Sequence, residues 1–143
     1  MATPRVYADF NAIEYVPEST TQAILALTGY GTLASLSRQR IRLTEGLALI
    51  FYEPNDIECE GVAHFDATRK DPAGRVGEWV ARIDHQDIRD CTQDDPLSSD
   101  HPCIGCGTDL AQAFKNRARN YTEHCPKCGE SVMAPMAPPA SAT

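Results

Sequence analysis

Ile57-Glu58-Cys59-Glu60-Gly61-Val62-Ala63-His64-Phe65 alternates apolar and polar side chains. Ile57, Cys59, Ala63 and Phe65 fall on one side, and Glu58, Glu60 and His64 on the other, which is the pattern of a strand with one buried and one wet face. Upstream, Leu47 to Tyr52 is the longest apolar run in the chain and suits a buried strand, with Pro54-Asn55-Asp56 supplying the turn between the two. Downstream, Ala67 to Gly77 reads as a polar loop, and Glu78 to Asp84 as a further strand with Trp79, Ala81 and Ile83 facing one way. Towards the N-terminus, Arg5 to Glu14 alternates loosely until Pro17 breaks it, and Ala23 to Thr28 is a second apolar run. Gly29-Tyr30-Gly31 forces a turn, and Thr32 is placed to cap a short helix from Leu33 to about Arg38. Ile41-Arg42-Leu43 and the turn signal Thr44-Glu45-Gly46 then lead back into the central strands. Short strands joined by turns predict a small antiparallel β-barrel or rolled sheet over residues 1–90, since closure hides the sheet edges.

Charge divides the chain. Residues 1–102 hold 9 Lys and Arg against 17 Asp and Glu, a balance of −8, whereas residues 103–143 hold 4 against 3, a balance of +1. An acidic body of this kind repels a phosphate backbone, so a nucleic-acid role would have to be local to the C-terminal part. Residues 91–102 read as an acidic linker, and the Ala/Pro/Ser-rich residues 134–143 as a disordered tail. Met1-Ala2-Thr3-Pro4-Arg5 lacks the basic and apolar regions of a signal peptide, and no stretch approaches the roughly 20 apolar residues of a membrane span. The expectation is a cytoplasmic protein with reduced thiols and no membrane partner.

Four of the six cysteines are paired by spacing. Cys103-Ile104-Gly105-Cys106-Gly107 and Cys125-Pro126-Lys127-Cys128-Gly129 are two C-x2-C-G segments, with 18 residues between Cys106 and Cys125. Two thiolates two residues apart can grip one ion from a tight turn, and two such turns fill a tetrahedral shell. Cys103, Cys106, Cys125 and Cys128 are therefore the expected ligands of one structural Zn2+, in a module over residues 103–133. Disulfides are the weaker account, because they belong to exported chains. Thr108 and Asp109 are placed to open a helix between the turns, with Leu110, Ala113, Phe114, Ala118 and Tyr121 recurring at helical spacing. The whole chain is thus expected to be α+β: a β-rich domain followed by a zinc-binding module containing a helix. Cys59 reads as a buried small apolar residue and Cys91 as a bystander.

These two turns resemble the zinc ribbon family, whose knuckles read C-x2-C-G and C-P-x-C-G. All four ligand positions match, as do Pro126 and Gly129. The resemblance implies a metal site and no single function, since zinc ribbons serve transcription factors, ribosomal proteins, topoisomerases and enzymes. Ribbons place strands between the knuckles, and the helical spacing here departs from that. The pattern Gly31-Thr32, Ile41-Arg42-Leu43-Thr44-Glu45-Gly46, Glu60-Gly61 and Trp79-Val80-Ala81-Arg82-Ile83-Asp84 resembles small β-rich bacterial proteins, a likeness that implies a fold and no activity. Arg38 and Arg42 also satisfy the R-x-x-x-R spacing of the PilZ family, but the D/N-x-S-x-x-G motif that should follow is missing.

No fingerprint of a nucleotide-binding or hydrolytic enzyme is present, and a four-thiolate shell leaves no position for a reactive water. His64, beside Glu60 and Asp66, is a conceivable carboxylate–histidine pair for acid–base work, and His85 with Asp87, near the acidic linker, is a second. His101 and His124 flank ligand cysteines. Lys115, Arg117, Arg119 and Lys127 form the cationic cluster and the candidate contact surface. The expectation is a non-enzymatic interaction or adaptor protein with a protein partner. The alternatives are a nucleic-acid-binding or transcription-associated zinc ribbon protein and an enzyme with a structural zinc.

Overall fold

The computed structural model describes residues 3–70, 76–92, 102–109, 125 and 127–129. Seven strands and one α-helix are formed among them: β1 (Arg5–Tyr7), β2 (Ile13–Tyr15), β3 (Gln22–Ala26), α1 (Tyr30–Arg38), β4 (Ala48–Tyr52), β5 (Ile57–Lys70), β6 (Val76–Asp84) and β7 (Arg89–Asp90). They make one sheet in the order β1-β4-β5-β6-β3-β2, with β7 pairing β5 where β6 has ended. The fold is therefore mostly sheet with one helix.

The register explains why one face is dry. Phe51 lies opposite Cys59, Ala63 opposite Ala81, Phe65 opposite Trp79, and Leu25 opposite Ala81 on its other side. Cross-strand partners share a face, so the odd-numbered residues of β4, β5, β6 and β3 build a single apolar surface. Phe51, Cys59, Ala63, Ala81 and Leu25 are all fully buried there, with Trp79 1% exposed. Phe65 and Trp79 meet edge to face with centroids 5.5 Å apart, a favoured ring geometry. Val6 of β1 and Leu33 and Leu36 of α1 join the same cluster.

The sheet is not a closed barrel, which corrects one expectation, and it is not wholly antiparallel, because β1 pairs with β4 in parallel. It is nevertheless bent. In a flat sheet, β1 and β2 at the two ends of the order would lie about 24 Å apart at roughly 4.8 Å per strand. Tyr7 and Ile13 are joined by a chain that spans at most about 20 Å when extended, and part of it is a 3-10 turn, Phe10–Ala12. The edges must approach each other. Among the described residues the two edges do not pair, and the turn between them is tied down at both ends: the Phe10 N–H donates to the Glu53 carboxylate next to β4, and the Ile13 N–H to the Phe10 carbonyl.

Three local differences from the sequence pattern have plain causes. Helix α1 begins at Tyr30 with Gly29 at its N-cap, without a side-chain cap, so Thr32 lies inside it and is buried at 3% exposure. It ends in a left-handed residue, Arg40 (φ 55°), with Ile41 N–H donating to Leu36 C=O at 2.9 Å; Ile41 then packs on the core, as in a Schellman cap. Residues 41–43 form this return and not a strand. Strand β5 runs on to Lys70, past the expected loop boundary, with a register irregularity after Asp66.

Candidate metal centre

Chain segment 102–109 is a miniature hairpin. Pro102 and Asp109 pair as an antiparallel bridge, and Cys103 N–H donates to Thr108 C=O at 2.6 Å. The turn closes with Gly107 N–H donating to Cys103 C=O at 2.8 Å, and Gly107 takes φ +85°. The second segment repeats the device: Gly129 N–H donates to Cys125 C=O at 2.9 Å, with Gly129 at φ +79°. Left-handed backbone of this kind favours glycine, so the glycine after each second cysteine is a consequence of the turn.

The two turns face each other. The four sulfurs of Cys103, Cys106, Cys125 and Cys128 lie within 4.8 Å of one another. Across the turns, Cys103 lies 3.6 Å from Cys128 and Cys106 3.7 Å from Cys125, sulfur to sulfur. A tetrahedral ion with metal–sulfur bonds of about 2.3 Å has sulfur–sulfur edges of about 3.8 Å, whereas a disulfide needs about 2.05 Å. None of the six cysteines is in a disulfide. The spacing is that of a cage around one ion, and four sulfur donors suit zinc or iron.

The surroundings favour thiolates. Thr108 Oγ1 lies 3.1 Å from Cys106 Sγ, and its hydroxyl, together with its backbone, holds the Cys106 thiol down at about 6. The backbone N–H groups of Cys128 and Lys127 hold the Cys125 thiol below the ordinary range, the latter at 3.4 Å from the sulfur. Each turn has one sulfur inside and one outside: Cys103 and Cys125 are 2% exposed, while Cys106 and Cys128 are open to solvent.

Other expected site residues fare differently. Thr108 Oγ1 lies beside Cys106 Sγ, and Asp109 is bridged to Pro102, so Asp109 is strand-paired and not part of a helical first turn. The helix expected from Leu110, the contact residues Lys115, Arg117 and Arg119, both flanking histidines His101 and His124, most of the linker and the tail lie outside the described residues. Lys127 is exposed at the second turn. His64 does not pair with Glu60 or Asp66. Its Nδ1 is 2.9 Å from Glu45 Oε2, and its Nε2 is 2.9 Å from Arg82 Nη2. Arginine can only donate, so Nε2 accepts and Nδ1 donates, and both ring nitrogens are engaged. His85 Nε2 contacts the Thr20 carbonyl at 2.8 Å, and its ring meets Tyr15 edge on. Cys59 is buried, and burial pushes its thiol up to about 11.

A cluster that sequence spacing could not show joins β1, β5 and β7. Arg5 Nη2 donates to Glu58 Oε1 at 2.6 Å, and Arg89 Nε to Glu58 Oε2 at 2.9 Å. The Arg5 guanidinium holds the Glu58 carboxyl down at about 2, despite burial. Cys91, 4% exposed, lies 3.8 Å from Arg5 Nη2 and is a member of this cluster. Its partners are distant in sequence, and no motif links them.

No protein-family model matches the chain, nor does any curated protein or any solved structure. Among the described residues no helix is long and apolar enough to cross a membrane.

Proposed function

We propose that the chain is a zinc-binding, non-enzymatic interaction protein, in which one structural Zn2+ is held by Cys103, Cys106, Cys125 and Cys128. The observation that carries it is the convergence of four free thiols from two like turns at tetrahedral spacing. Four thiolates close the shell, so the ion would fix the turns and would not activate water. His64, the best acid–base candidate, has both nitrogens engaged, which also favours a binding role. Free thiols of this kind persist in a reducing cytoplasm, the proposed compartment.

The proposed docking surface combines Lys115, Arg117 and Arg119 with Lys127, against an acidic patch on a protein partner. Elemental analysis with thiol titration tests the metal: one zinc per chain and no native disulfide is expected, and a metal-free protein with those thiols oxidised would sink it. Reversing Lys127 and Lys115 to Glu should slow partner association at low salt. Binding of a nucleic-acid pool that weakens steeply with salt would favour the nucleic-acid alternative instead.

A further inference from the structure

Helix α1 is covered all round. Thr32, Leu33, Ala34, Ser35, Leu36 and Ser37 are each no more than 4% exposed. Successive helical residues point about 100° apart, so six in a row leave no wet side. A helix laid on one face of a sheet keeps such a side, and α1 needs more cover than the sheet provides.

Two sectors are accounted for. Leu33 and Leu36 point into the sheet cluster with Val6, Leu25 and Phe51. The sector of Ser35, Gly31 and Gln39 lies against β1: Tyr7 N–H donates to Ser35 Oγ at 3.2 Å, Gln39 Nε2 donates to Arg5 C=O at 2.6 Å, and a Cβ on Gly31 would come within 2.5 Å of the Tyr7 ring. The third sector carries Ala34 and Ser37, 2% and 4% exposed. The cysteine turns present the matching surplus. Cys103 (2% exposed), Ile104 (7%) and Cys125 (2%) are buried although no strand of the sheet pairs with them. Cys103 and Cys125 belong to the same apolar cluster as Leu33 and Leu36.

We infer that the two cysteine turns seat on the Ala34–Ser37 side of α1, and that the ion acts as a clasp holding them there. The inward sulfurs and Ile104 form the seat, while Cys106 and Cys128 close the cage from outside. Neither turn has enough apolar side chain to stay docked alone, so the bound ion becomes part of the stability of the helix. The inference rests on the zinc reading above and adds that loss of the ion uncovers α1.

The test uses the full chain and hydrogen exchange. Metal content is measured first, then amide exchange in residues 33–37, with the ion bound and after stoichiometric chelation. Chelation should speed exchange of α1 by at least about tenfold. Loss of the near-UV signal of Trp79 at the same time would be the stronger form of this result. A second variant, Ile104→Ala, keeps all four thiols and should keep the ion, yet speed α1 exchange roughly three- to tenfold by loosening the seat. Bound metal with unchanged α1 exchange on chelation and in Ile104→Ala overturns the clasp and leaves the zinc site standing. Protein purified without metal overturns both.

Discussion

The sheet and the cysteine turns are stabilised by opposite means. The sheet buries Trp79, Phe51, Leu25 and Leu49 almost completely, and each such side chain contributes about 1.5–3 kcal/mol on leaving water. The turns bury little beyond Ile104 and two sulfurs, and among the described residues their order rests on short backbone bonds and, in the reading proposed above, on one ion between the sulfurs. Order spread over many apolar contacts weakens by degrees when one is lost. Order concentrated in one ion fails as a whole.

The largest expected effect breaks the second kind of order. Cys125→Ser removes one of four ligands, and structural zinc in small modules binds with about 10–16 kcal/mol; the variant should lose its zinc to a mild chelator that leaves the parent protein loaded, measured by elemental analysis. Trp79→Ala attacks the first kind. It should cost about 3–5 kcal/mol in urea unfolding, and zinc retained below the unfolding midpoint would show that the turns tolerate a damaged sheet.

A smaller effect lies in the buried ion cluster. Because the folded-state pKa of Glu58, about 2, is below its unfolded value of about 4.5, its contribution is complete above about pH 4.5 and is lost as pH falls through about 2. Glu58→Gln should lower stability at neutral pH by about 2–3 kcal/mol and flatten the acid limb in that window. The difference between variant and parent across pH, by urea unfolding, is the measurement. The smallest effect has the opposite sign: Arg40→Gly relieves a left-handed residue and should stabilise by up to about 1 kcal/mol, read as a raised midpoint.

Local periodicity made the inner face of the sheet legible. Cys59, Ala63, Trp79, Ala81 and Ile83 were placed by alternation alone, and all are buried. The four sulfurs were legible from spacing, because a turn that points two thiolates at one ion requires it. Long-range pairing was hidden. Nothing in Arg5–Tyr7 announces a parallel partner in β4, and the pattern leaves a barrel and a rolled sheet both open, because alternation says which residues face inward but not where the sheet ends. The partner of His64 is hidden for a similar reason: Glu45 reaches it from the turn before β4 and takes the hydrogen bond, which spacing along β5 does not show.

The parallel pairing of β1 with β4 also sets an order of events during synthesis. Tyr7 leaves the ribosome long before its partner Tyr52, and at roughly 5–20 residues per second the interval is about 2–9 s. During that time Val6, which ends fully buried, has no strand to lie against. Strands β4, β5 and β6 are consecutive antiparallel neighbours and can assemble as soon as they emerge, so Arg5–Tyr7, made before them, is among the last segments of the sheet to dock.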